Sequence, residues 1–93
     1  MITTEWSAID GAEFEAAREA ISHLMAVYTT LIRDEKTKHS PDIQRLDELY
    51  SDREQLHRER DDLTIHDKKR IAKARKLYGG KVRTYLEQGI PPR

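Results

Sequence analysis

The chain has 93 residues, with charged and hydrophobic side chains at 37% each, 6% aromatics and 4 Gly, a balance that favours long helices over a sandwich or barrel. It contains no Cys, which excludes disulfides, thiol chemistry and Cys-ligated zinc. The formal net charge of +0 conceals a split: residues 1–65 hold 15 acidic against 8 basic side chains, and residues 66–93 hold 2 against 9.

Such an asymmetry points to a charged partner, or to pairing of the two halves, and not to a reaction. At this length one core buries only roughly 60–65% of the unfolded surface, so support from a second copy or a partner is expected. The start, Met1-Ile2-Thr3-Thr4-Glu5-Trp6, lacks the basic head and apolar run of a signal peptide, and no apolar stretch approaches the roughly 20 residues that span a bilayer. A soluble, cytoplasmic protein is the expectation.

The residues before Asp10 show no period. Trp6, the single tryptophan, reads either as a lid over one end of a helical bundle or as an exposed anchor for a partner. A first helix is expected over about 11–36, with Asp10 as N-cap, Glu13 as its capping-box partner and Ile9 stapled to Phe14. At 100° per residue, Phe14, Ala17, Ile21, Leu24, Met25, Tyr28, Leu31 and Ile32 share one face. Glu15, Arg18, Glu19, Ser22 and His23 share the other.

A short turn, Thr37-Lys38-His39-Ser40, leads to a second helix over about 41–62 with Ser40 as N-cap and Pro41 at the first helical position, folded back as an antiparallel hairpin. Its seam reads Leu46, Leu49, Arg53, Leu56, Arg60, Leu63, flanked by Ile43, Tyr50 and His57, so two arginines occupy coiled-coil-like core positions. Arg stems can lie along apolar surface with the guanidinium reaching outward, or the two can meet carboxylates of another chain. Levelling the hairpin about its turn sets Arg53 near Met25 and Arg60 near Arg18, and the inner face of the first helix offers no carboxylate at either height.

The third helix is expected over about 65–88, with Thr64 as N-cap and Asp67 three residues on. Its apolar face, Ile71, Ala74, Tyr78, Val82 and Tyr85, is out of phase with the second helix, so the chain must turn between Leu63 and His66. Gly79-Gly80 costs about 2 kcal/mol relative to two alanines; the stripe keeps its phase across the pair, which argues for a continuous helix over a helix-turn-helix break. Gly89 suits a left-handed cap, Ile90 can fold back on the last turn, and Pro91-Pro92 forbid continuation. The whole is read as one all-α domain, residues 1–93, a long antiparallel helical hairpin plus a basic third helix, forming a three-helix bundle.

Glu54-x-x-His57 has the spacing of helical metal ligands, but the level opposite His57 is close to Ile21, and no second such pair exists. His23, His39 and His66 show no mutual ligand spacing. No metal, cofactor, catalytic residue or small-molecule substrate is expected, since no nucleophile has an adjacent base and no P-loop or Gly-rich fingerprint occurs.

The basic helix carries the strongest functional signal. Lys69, Lys73, Lys76 and Arg83 gather opposite its apolar stripe, with Lys81 nearby, as a backbone-charge contact to nucleic acid would require. The same face could dock an acidic protein, or the acidic helices of a second copy, with charge guiding encounter. Alternatively the opposite charges pair within one chain, as surface pairs worth about 0–1 kcal/mol each. The reading is a non-catalytic protein-interaction or regulatory protein: an accessory factor, inhibitor or antitoxin-like partner. It would bind a protein or itself, as a homo-oligomer, through Arg53, Arg60, His57 and Trp6. The alternative is a nucleic-acid-binding regulator using Lys69, Lys73, Lys76, Lys81 and Arg83.

Overall fold

A computed structural model describes residues 8–92; Trp6 lies outside them. Three helices account for 82% of the described residues, α1 (Ala8–Lys36), α2 (Ile43–Asp62) and α3 (Lys68–Gln88), with no strand among them. No helix is long and apolar enough to cross a membrane among these residues.

At 1.5 Å per residue the 29-residue α1 is about 43 Å long, and it is the spine of the fold. Both α2 and α3 pack on it, while the backbones of α2 and α3 stay apart. The buried band of α1 follows the expected stripe at Ala17, Ile21, Leu24, Tyr28 and Ile32, with Phe14, Met25 and Leu31 half-buried. It also takes in Val27 and Glu35, because a helix flanked on two sides buries a wider arc than one with a single neighbour. Leu49, Leu56 and Leu63 complete the core from the second segment, and Ile71 and Ala74 from α3, with Tyr78, Val82 and Tyr85 packed at its edge. The arginine-interrupted seam and the phase slip after Leu63 are both present.

The helix starts differ from expectation. Helix α1 already includes Ala8, the first described residue, so Asp10 lies within the helix instead of capping it, and Ile9 is 72% exposed. Helix α2 is capped by Asp42, not Ser40: Asp42 Oδ1 accepts from the Arg45 N–H at 3.1 Å, and Pro41 precedes the cap. Helix α3 is capped by Asp67, whose Oδ1 accepts from the Arg70 N–H at 3.1 Å, while Thr64 supplies the turn carbonyl that accepts from the Asp67 N–H. In α2 and α3 an aspartate displaced a hydroxyl two or three residues earlier; both cap well, and the carboxylate also meets the positive end of the helix dipole.

The α2 cap is set by Glu35. This carboxylate is only 7% exposed; Oε1 accepts from Lys38 Nζ at 2.8 Å and Oε2 from the Asp42 N–H at 2.9 Å. The chain therefore wraps around Glu35 before the second helix begins. The hairpin register shifts accordingly: Arg53 lies against Thr29 and Arg60 against Ser22, about one helical turn from the levels expected at Met25 and Arg18.

The third helix runs through Gly79-Gly80 unbroken and ends at Gly89, whose φ of 69° is left-handed and whose N–H donates to the Tyr85 carbonyl at 2.8 Å. Ile90 through Pro92 then turn back beside α3. The Tyr28 hydroxyl is within donating reach of both the Pro92 carbonyl, at 3.5 Å, and Asp52 Oδ2, at 3.4 Å.

Candidate functional site

The seam arginines find partners within the chain, and these are hydroxyls. Arg53 Nη1 donates to Thr29 Oγ1 at 3.0 Å, with its guanidinium carbon 5.3 Å from the Tyr50 ring centre. Arg60 Nη1 donates to Ser22 Oγ at 2.9 Å, and its Nη2 lies 3.1 Å from His57 Nδ1. Ser22 thus faces the hairpin boundary, not open solvent, and Arg18 folds over Phe14 with 5.7 Å between guanidinium and ring centre. Nε of both Arg18 and Arg60 is shielded from solvent without a hydrogen-bond acceptor among the described residues.

His57 also reaches toward Asp61, Nε2 to Oδ2 at 3.7 Å, one turn along α2. Glu54 is exposed. Among the described residues no group of three or more His, Asp or Glu is placed to hold a metal ion.

The basic helix divides into two parts. Three of its cations are paired from within: Lys68 Nζ lies 3.6 Å from Asp10, Arg70 makes a two-point contact to Glu59 at 3.3 and 2.8 Å, and Arg75 pairs with Glu13. Glu59 beside Arg70 raises the guanidinium pKa further above its ordinary value. This pair is the polar link between α2 and α3, and Tyr78 lies close enough that burial first, and the Glu59 charge second, push its hydroxyl pKa up.

The other part is different. Lys69, Lys73, Lys76, Lys81 and Arg83 make no ion pair among the described residues; all but the half-buried Lys81 are exposed. These are the five residues that the sequence marks as a basic face, and the structure places Lys73, Lys76 and Lys81 around a groove of about 560 Å³. The groove floor is apolar: Leu77, Gly80 and the returning segment Ile90-Pro91-Pro92 line it with Thr84. Leu77 is 43% exposed and Ile90 50%. Sequence reading missed this floor. The signal was available in Leu77, which stands outside the Ile71–Tyr78–Val82 stripe and so has no core to enter; a fold-back of Ile90 onto the last turn was expected, but that Ile90-Pro91-Pro92 would share a groove with residues as far back as Lys73 is not a local property.

A second groove, about 380 Å³, lies between α2 and α3, with Leu24 and Tyr28 of α1 at its base and Asp52, Gln55, Glu59 and Lys81 along its walls. It exists because the backbones of α2 and α3 diverge above α1. The arrangement as a whole is a cationic, partly apolar surface on α3 and a largely acidic surface elsewhere. No known protein family, curated protein or solved structure matches the chain.

Proposed function

We propose that this chain is a non-catalytic binding protein whose outer α3 surface docks an acidic surface of a protein partner. One observation carries the reading: Lys69, Lys73, Lys76 and Arg83 on α3 are exposed and make no ion pair among the described residues, while Asp10, Glu59 and Glu13 are engaged by Lys68, Arg70 and Arg75. Fixed positive charge of this kind accelerates encounter and selects orientation. The apolar floor at Leu77 and Ile90 supplies area that water leaves on contact, which is where affinity comes from. An acidic helix with a few apolar side chains matches both features. By occupying such a surface the protein would act as an accessory factor or inhibitor of its partner.

The test is affinity capture from the native host with the wild-type chain and with Lys69→Ala/Lys73→Ala/Lys76→Ala as parallel baits. A protein retained by the wild type and lost with the triple variant is the expected result. Identical recovery on both baits would sink the reading.

The outward lysines also support a second reading, contact with nucleic-acid phosphates. That predicts binding of duplex or single strands at low salt, weakening by a few powers of ten between about 50 and about 200 mM salt. Absence of any anisotropy change with labelled strands at low salt removes it. The apolar floor among the lysines favours the protein partner, because phosphate contact uses no such floor.

A further inference from the structure

The outer face of α2 repeats, in acid, the spacing that α3 shows in base. Asp47, Glu54 and Asp61 recur every seven residues, as do Lys69, Lys76 and Arg83; on a helix both sets rise about 10.5 Å per step along nearly one line. All six side chains are exposed. The acidic line carries its own apolar members, Ile43 at 67% and Tyr50 at 40% exposure. Lys76, at the middle of the basic line, lines the groove floored by Leu77 and Ile90, with Lys73 and Lys81 beside it.

Gly79 and Gly80 add an independent observation. Both are helical, neither has a positive φ, and a methyl group built on either would meet only the flexible end of Arg83, at 3.6 and 3.9 Å. Neither backbone geometry nor close packing within the described residues requires them, and two interior glycines cost about 2 kcal/mol in helix propensity. A helix laid into the groove does gain, since a residue without a side chain at Gly80 lets two backbones approach.

We propose that the groove side of α3 receives the outer face of α2 from a second copy of this chain. Asp47 and Glu54 then lie opposite the lysines, and Ile43 and Tyr50 lie on Leu77 and Ile90. This rests on the reading of α3 as a contact surface and names its occupant. Because the two faces differ, the contact is head-to-tail, and it closes into a ring or extends as a chain of copies.

Purified protein alone tests this, so its failure is separable from loss of a foreign partner. Sedimentation of the wild type at low salt should give a mass above the 10.9 kDa of one chain, falling to that mass as salt is raised. Two charge-reversed variants decide the contact: Lys69→Glu/Lys76→Glu/Arg83→Glu, and Asp47→Lys/Glu54→Lys/Asp61→Lys. Each should be monomeric by itself, and an equal mixture should recover the assembly. Gly80→Leu, which leaves every charge in place and projects from the helix surface, should also give a monomer. A wild type that stays at 10.9 kDa at low salt, or variants that do not combine, overturns the proposal. So does a Gly80→Leu chain that assembles like the wild type. If capture by the triple-alanine bait changes while the purified protein is monomeric, α3 binds something other than its own kind.

Discussion

The Glu35 carboxylate receives Lys38 Nζ and the Asp42 N–H while almost wholly removed from solvent. The Lys38 contact, then the Asp42 backbone donor, hold its pKa below the ordinary 4.5. A depressed acid stabilises the fold fully above its unfolded value and loses that contribution as pH falls through the folded value. Thermal midpoints of wild type and Glu35→Gln should therefore diverge most at pH well above the ordinary 4.5 and converge as pH falls below it, through the lowered folded value. Arg60 makes a different argument. Its bond to Ser22 ties the end of α2 to α1, so Arg60→Ala and Ser22→Ala in a double-mutant cycle should show coupling of about 0.5–1.5 kcal/mol in urea unfolding. Additive losses would mean that the arginine acts through its stem alone. Neither role is readable from the residue's own neighbours: Ser22 looks like a surface serine until α2 lies beside it.

Among the elements, α3 joins two glycine uses with opposite consequences. Gly79 and Gly80 have ordinary helical geometry and room for a methyl, so Gly79→Ala and Gly80→Ala should each stabilise the chain by about 0.5–1 kcal/mol. Gly89 holds a φ of 69°, and Gly89→Ala should cost about 1–2 kcal/mol. Denaturant midpoints moving in opposite directions for the two sites would check the pair. The existence and phase of all three helices were legible, because an apolar residue every three or four positions announces the buried face wherever the helix docks. Helix starts were not. At both internal starts the cap is an aspartate two or three residues beyond the expected hydroxyl, its side chain turned back on the N–H three residues on. At Asp42 the incoming loop is shaped by Glu35, seven residues earlier, through a contact no local pattern contains.

For the whole molecule the decisive fact is that α1 supports two helices whose backbones stay apart from each other. Ile21 and Leu24 are essentially fully buried on that spine, and removing one of them weakens the apolar core that α1 shares with α2 and α3. Ile21→Ala should cost about 2–5 kcal/mol, a large share of the roughly 5–14 kcal/mol that a chain of this size commands. A shallow, weakly cooperative melt by circular dichroism is the expected outcome, and an unchanged midpoint would contradict the spine arrangement. Charge acts on the same scale. Acids on α1 and α2 pair with Lys68, Arg70 and Arg75 and leave Lys69, Lys73, Lys76 and Arg83 exposed, so one molecule presents surfaces of both signs.

Periodicity and charge, both carried by near neighbours along the chain, were enough to establish three helices, their apolar faces, the turn after Leu63 and a lysine-rich third segment. Hairpin register, the hydroxyl partners of Arg53 and Arg60, and the groove beneath Lys73 and Lys76 came from contacts between residues far apart. These depend on where a loop folds over Glu35 and where the tail after Gly89 comes to rest, and a helical repeat carries no information about either.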